Sequence, residues 1–448
     1  MQPLSELTPS SALRSLFGLL NRSGIAYCVV GMTEDLPEQV EGDIDIVIET
    51  TDTESIHTAL ATFEEETGAR LVQVLMHELN ARHFIFSWLD EDGMPRFLGP
   101  DICGDYHRNG MLLMPAGDIL SRRELALDKG GREKEFFVPA PADEFIYYLL
   151  KKIDKGQFND RQAEHLSRVF EANPDGSKQW LEKFWRPPQR RILADAAAGN
   201  AWLPVQDSIK SLQRELRGTR SRTWSARRGE WARRIYRLRR PTGIHIVILG
   251  PDGSGKSSVV QELGRRLAPA FRRTSFHHFR PHWGRPSFSP DPAATPPHGK
   301  PARSWIGSAA KMLYYALDYV IGYACHIYPA LVCSTLVIFD RYFDDILIDP
   351  ARYRYAGPRA WVKMMAPLIP RPDLTFVLSA SPEILETRKG ELTRDESVRQ
   401  LDAYRAHSKS RPNVFEIDAN QDLDHVVADI GSATLSYMQS RASDRRRR

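Results

Sequence analysis

The chain has little of what marks a secreted, fibrous or nucleic-acid-coating protein. Its 448 residues include four cysteines, Cys28, Cys103, Cys325 and Cys333, far apart and with no Cys-x-x-Cys pair. That excludes a disulfide framework and a zinc ribbon, and fits a reducing compartment. Net charge is scarce as well: 61 Lys plus Arg against 57 Asp plus Glu leave +4. A globally basic surface for nucleic acid is excluded on that balance, so any basic function has to be local. No basic residue precedes Arg14 and no internal repeat is visible, so the N-terminus does not read as a signal peptide. The longest apolar run, Val320 to Phe339, matches the roughly 20 residues that cross a bilayer. His326 and Pro329 interrupt it, however, and Asp340-Arg341 follows directly. A buried helix leading into a central strand is the expectation. With 42% hydrophobic residues the length suits two or three domains of a cytoplasmic protein.

What is present divides the chain. Leu13, Leu16, Leu19 and Leu20 fall at helical spacing, and short strand-like runs follow at 26–31, 43–48, 70–75, 83–88 and 96–102. Residues 142–205 read as helical. This block, 1–205, is expected as an α+β domain with a helical extension. Between Lys210 and Arg240, 12 of 31 residues are Lys or Arg, opposed only by Glu215 and Glu230, with Trp224, Trp231 and Tyr236 interleaved. Residues 206–242 are therefore expected as a basic helical connector. Three readings of it stay open: a solvated helix over a domain seam, peripheral contact with anionic lipid headgroups, or nucleic acid. From Gly243 to residue 440 strands and helices alternate, the pattern of a parallel α/β domain, and 441–448 reads as a basic tail. Pro281 to Pro301 interrupts the alternation as a Pro-rich loop. His277, His278 and His282 read as loop residues, and Lys151, Lys152 and Lys155 as a solvated basic patch.

The strongest signal follows the apolar run Ile244–Leu249. Gly250-Pro251-Asp252-Gly253-Ser254-Gly255-Lys256-Ser257 fits G-x-x-x-x-G-K-[ST], the phosphate-binding P-loop, and Ser258 extends it. Glycines let backbone N–H groups curl around a polyphosphate at a helix N-terminus. Lys256 can reach the β- and γ-phosphates of ATP, and Ser257 can ligate Mg²⁺. A second strand, Leu336–Phe339, delivers Asp340 beside the metal and Arg341 toward an acceptor's phosphate. A third strand, Leu374–Leu378, leads to Arg388 and then Arg394, which are expected on a mobile lid closing over the transferring phosphates.

These motifs, with Asp340-Arg341-Tyr342, Glu396 and Tyr404, make residues 243–440 resemble the thymidylate kinase family. The resemblance implies a P-loop NTPase sheet with flanking helices, and ATP–Mg²⁺-dependent phosphoryl transfer to a phosphorylated small molecule. Asp252 would lie near that acceptor and Arg341 would hold its phosphate. Two segments depart from the family. Its Arg-Glu-Pro-Gly-Gly segment is missing, with Phe279-Arg280-Pro281 near its place, and Phe343-Asp344-Asp345 replaces a Ser-rich continuation. The acceptor is therefore left open between a nucleotide, a sugar and a glycan intermediate. Alternatives are a true thymidylate kinase and a nucleotide-gated ATPase scaffold at a membrane surface; a homodimer is also left open.

In the first block, Gly31 followed by Asp43-x-Asp45 on a strand resembles the uncharacterised nucleotidyltransferase-like proteins over residues 11–170. Two acids on one strand face, with Asp101 from a neighbour, would hold Mg²⁺ around a triphosphate. A working transferase, a retained fold without activity and a strand with solvent-facing acids are all compatible with that motif.

Overall fold

A computed structural model describes residues 7–40, 42–49, 53–78, 80–108, 111–218, 224–282, 304–388, 394–409 and 411–446. Most of the Pro-rich stretch and the centre of the expected lid lie outside these residues. The chain divides into two compact units, Met1–Glu91 with Arg96–Tyr236, and Asp92–Pro95 with Arg237–Arg448.

The first unit is α+β. Helix Pro9–Arg22 starts at Thr8, whose side chain accepts from the Ser11 N–H, and buries Leu13, Leu16, Leu19 and Leu20 along one stripe. The strands are β1 (Tyr27–Val30), β2 (Ile44–Ile48), β3 (Arg70–Glu78), β4 (Ala81–Leu89), β5 (Pro95–Leu98) and β6 (Pro100–Cys103). They form one sheet in the order β1-β2-β6-β4-β3, with β5 on β4. β2 and β6 run parallel, while β1–β2, β3–β4 and β4–β6 are antiparallel. Two small antiparallel pairs follow, β7 (Tyr106–Arg108) with β8 (Met111–Met114) and β9 (Arg123–Leu127) with β10 (Glu133–Pro139).

Beyond helices Thr53–Thr67 and Ala116–Leu120, the helical extension comprises Pro141–Lys155, Asp160–Ala172, Pro174–Phe184, Gln189–Gly199 and Leu203–Gly218. They share a core of Phe145, Leu149, Leu166, Leu181, Trp185 and Leu193. Val205, Leu212 and Leu216 are buried in that same core, and Trp185 Nε1 donates to the Leu212 carbonyl at 3.2 Å. Residues 206–218 thus belong to the helical extension and not to a connector. Their basic residues mark only the outer face of an amphipathic helix.

On helix Asp160–Ala172 the buried His165 lies 3.2 Å from Glu144 and 3.4 Å from Glu34, edge-on to the Tyr148 ring, with Arg168 on Glu34. Burial opposes its charge, but the two carboxylates raise its pKa from 6.5 to about 9. Because the folded value lies above the unfolded one, this contribution is complete below pH 6.5 and is lost as pH rises through 9. At about 1.4 kcal/mol per pKa unit it amounts to about 3 kcal/mol. Urea unfolding of wild type and His165→Gln should therefore differ most near pH 6 and converge above pH 9. A difference independent of pH would contradict the ion-pair reading.

The second unit is α/β. Its strands β11 (Ile244–Leu249), β12 (Arg273–His278), β13 (Thr335–Asp340), β14 (Leu374–Ser379) and β15 (Val414–Asp418) are all parallel, in the order β12-β13-β11-β14-β15. Every residue of β11 and β14 is buried, as expected of central strands covered on both faces by helices. Before β13 the chain forms helix Trp305–Gly322, which continues through a π-helical turn at Tyr323–Ile327 into helix Tyr328–Val332. It is half-buried rather than buried, packing Met312, Tyr315, Ala316 and Tyr319 inward while Trp305, Ile306, Leu313 and Leu317 are exposed. No helix among the described residues is long and apolar enough to cross a membrane.

Two further expectations need correction here. His277 and His278 are part of β12, with His277 stacked on Phe339 (ring centroids 4.7 Å apart), not loop residues. Nor is 441–446 a separate tail. Helix Leu423–Arg446 runs through it, Ala442 is buried, and Arg441 donates to the Thr242 and Gly243 carbonyls at 2.6 and 3.1 Å.

Candidate active site

The loop after β11 is shaped by glycine. Gly250 has φ +151° and a Cβ there would stand 2.9 Å from the Leu378 carbonyl, while Gly255 has φ +85° and starts helix Lys256–Leu267. Side-chain-bearing residues would be strained at both. The loop therefore ends in a helix N-terminus whose first residue is the buried Lys256. Lys256 Nζ donates to the Pro251 carbonyl at 2.7 Å and lies 4.0 Å from Asp252 Oδ1. Burial first, and the Arg341 charge second, lower its pKa to about 7.

Parallel register sets Asp340 of β13 beside Ile248 of β11, at the carboxyl ends of the strands where α/β ligands bind. Ser257 Oγ lies 3.3 Å from Asp340 Oδ2, and His278 Nδ1 lies 3.6 Å from the same oxygen. Burial works against the Asp340 charge, yet His278, Lys256 and Arg341 hold its carboxyl at about 2. Asp340 Oδ1 and Ser254 Oγ are buried without a hydrogen-bond partner. No three His, Cys, Asp or Glu side chains converge as a metal-ligand set among the described residues. Mg²⁺ held with a nucleotide takes only one or two carboxylates, so the unpartnered Asp340 oxygen beside Ser257 fits it.

Arg341 has φ +72°, unusual for a residue with a side chain, and its N–H donates to the Ile248 carbonyl at 2.9 Å. It is 2% exposed, and both ends of its guanidinium are engaged: Nη1 on Asp345 and Nη2 on Asp252, each at 2.5 Å. Asp345 also accepts from the hydroxyls of Tyr353, at 2.7 Å, and Tyr404. In this state Arg341 presents no free fork to an acceptor phosphate; it orients Asp252. Arg352 reaches the other Asp252 oxygen and keeps 17% of its side chain exposed. Arg352, Asp345 and His278 were not anticipated as site residues. Asp345 carried a signal in its position four residues after Arg341, but Arg352 comes from a loop whose path the sequence does not reveal.

Arg388 closes helix Pro382–Arg388 at the exposed end, 3.5 Å from the Ala419 carbonyl just past β15. Arg394 opens helix Arg394–Ser408, and its side chain lies outside the described residues. The two are thus on different helices flanking the expected lid.

In the first unit the parallel β2–β6 register places Asp45 opposite Asp101, and β4 brings His83 opposite Asp101. Asp43, just before β2, is exposed and lies 3.4 Å from His83 Nε2. Lys151, expected in a solvated patch, instead reaches Asp45 Oδ1 at 2.5 Å, because its helix packs behind the sheet. Its neighbour Lys152 is buried with its ammonium 4.5 Å from the Tyr148 ring centroid. Burial, and then the Asp45 charge, raise the Asp101 pKa to about 6, and Asp101 Oδ1 has no partner. Gly31, at φ +102°, donates its N–H to Glu144 at 2.8 Å.

Comparison with known proteins bears on the loop-and-acid site. Over 201 residues, 41% of this chain, the sequence is 27% identical to a probable thymidylate kinase of Pyrobaculum aerophilum, covering 93% of that protein. The chain carries a thymidylate kinase-like segment. A crystal structure of thymidylate kinase from Ehrlichia chaffeensis aligns with 42% of this chain and 97% of its own, at 16% identity and a TM-score of 0.31. No family model matches the chain.

Proposed function

We propose that the thymidylate kinase-like segment is an ATP- and Mg²⁺-dependent phosphotransferase that passes the γ-phosphoryl group to an acceptor already carrying a phosphate. The observation that carries this reading is the pairing of a glycine-shaped loop and Lys256 with Ser257 and Asp340 on the next strand. The loop N–H groups and the helix N-terminus would receive the ATP phosphates. Lys256 would exchange the Pro251 carbonyl for phosphate oxygens, and Ser257 and Asp340 would hold Mg²⁺, which neutralises charge on the β- and γ-phosphates. An acceptor phosphate oxygen attacks the γ-phosphorus, the bond to the bridging oxygen breaks, and ADP leaves. Asp252, held by Arg341 and Arg352, would position the acceptor, while Arg388 and Arg394 would close over the transferring group.

The acceptor is proposed to differ from thymidylate. Phe279, near the place of the missing acceptor segment, is buried against Tyr353 with ring centroids 4.4 Å apart. Arg280 is turned onto Asp318 at 3.0 Å. With γ-labelled ATP and a panel of phosphorylated nucleosides and sugars, label should enter a small-molecule product, with thymidine monophosphate a poor acceptor. Label found only as free phosphate would favour the gated ATPase. Efficient thymidylate phosphorylation would make the protein an ordinary nucleotide kinase with an added unit.

For the first unit, a nucleotidyltransferase-like role of Asp43, Asp45 and Asp101 is part of the same proposal. The facing carboxylates support it, and Lys151 would have to yield Asp45 to a metal.

A further inference from the structure

The helix Trp224–Arg239 has no part in either site, yet its outward face is ordered in an unusual way. Arg233 ties the helix down, donating to the Met76 carbonyl at 2.9 Å and to Glu230 at 2.6 Å. Glu230, the helix's one acid, is thereby turned inward and buried. On the opposite side Trp224, Trp231 and Ile235 fall on a single helical stripe, 74%, 66% and 45% exposed. Arg228, exposed, and Arg234, which donates to Glu230 at 3.1 Å but keeps 58% of its side chain exposed, border that stripe. Two indoles and a β-branched aliphatic in one exposed stripe mark an interaction surface, and the bordering arginines favour a cover that is anionic at its edge.

We infer that this helix is a peripheral docking element that lies in the plane of an anionic lipid surface. Its indoles and Ile235 enter the headgroup–acyl boundary, and Arg228 and Arg234 pair with lipid phosphates or carboxylates. Nucleic acid would use the arginines and stack on the indoles, but it offers nothing to Ile235, which needs an apolar phase. With a net charge of only +4 the whole chain supplies little long-range attraction, so the contact depends on this local face.

The test uses the full chain in flotation with phosphatidylcholine vesicles, with and without about one-third phosphatidylserine. The protein should float with the anionic vesicles at about 0.05 M salt and largely release at about 0.5 M, where exposed charges are screened within a few ångströms. Arg228→Gln should weaken partition about fivefold. Trp224→Ala with Trp231→Ala should weaken it at least about tenfold, as expected for losing two buried rings. These side chains face solvent, so label transfer from ATP and the circular dichroism spectrum serve as folding controls. Failure to float with anionic vesicles at low salt would overturn the inference. So would partition indifferent to both tryptophans and abolished by a single-stranded oligonucleotide, which would assign the helix to nucleic acid. Neither outcome touches the phosphotransferase reading, whose test is label transfer without vesicles.

Discussion

Replacing Arg341 with methionine should destabilise the second unit by about 3–5 kcal/mol, the range for breaking a buried charge pair from one side. Arg341 neutralises the fully buried Asp345 and one oxygen of Asp252. Burial opposes the Asp345 charge, and Arg341, Tyr404 and Tyr353 together hold its carboxyl below the ordinary range. Tyr353 and Tyr404 would still donate to Asp345 in the variant, which places the loss toward the lower end. Lysine should not rescue it, since one ammonium cannot span two carboxylates that a planar fork reaches from its two ends. Adding Asp345→Asn should recover part of the lost stability by removing the stranded charge. In an acceptor assay, any Arg341 variant that stays folded should lose acceptor use more than ATP binding, because Asp252 loses the partner that orients it. Urea unfolding within about 1 kcal/mol of wild type would show that Arg341 is not structural in this way. A loss confined to ATP affinity would move it to the donor side.

How much of this was legible in the sequence depended on whether a feature was local. The loop 250–258 could be read because its glycines are required by backbone angles and close approach at their own positions. Strands β11, β13 and β14 could be read because parallel central strands are apolar on both faces. Pairings that depend on register could not: Asp45 against Asp101 needed β2 and β6 to be parallel neighbours, and Lys151 needed its helix behind them. The strands between Tyr106 and Pro139 were missed because they form small, bulged, partly exposed pairs with mixed polar sequence. The segment 206–218 was misassigned for the opposite reason. Its charge content points to a connector, while two buried leucines, Leu212 and Leu216, set its packing.

Replacing Lys256 with alanine should reduce phosphoryl transfer by about 10²–10³-fold or more, the scale for removing one preorganised donor from a transition state. The same variant should cost the fold little. The Lys256 ammonium makes one carbonyl hydrogen bond and sits 4.0 Å from Asp252, which keeps Arg341 and Arg352 when the lysine is gone. Burial and the Arg341 charge already disfavour the ammonium there. A near-neutral change in unfolding free energy, within about 1 kcal/mol, is therefore the expected companion of the lost activity. That combination separates a group held ready for a polyphosphate from one that holds the structure together. Arginine should not substitute, because a planar fork does not reproduce the compact point charge that meets the β- and γ-phosphates. Single-turnover transfer from labelled ATP measures the first effect and urea unfolding the second. Turnover within about threefold of wild type would remove the basis for placing ATP on the 250–258 loop, since ~0.6 kcal/mol is all that such a difference represents.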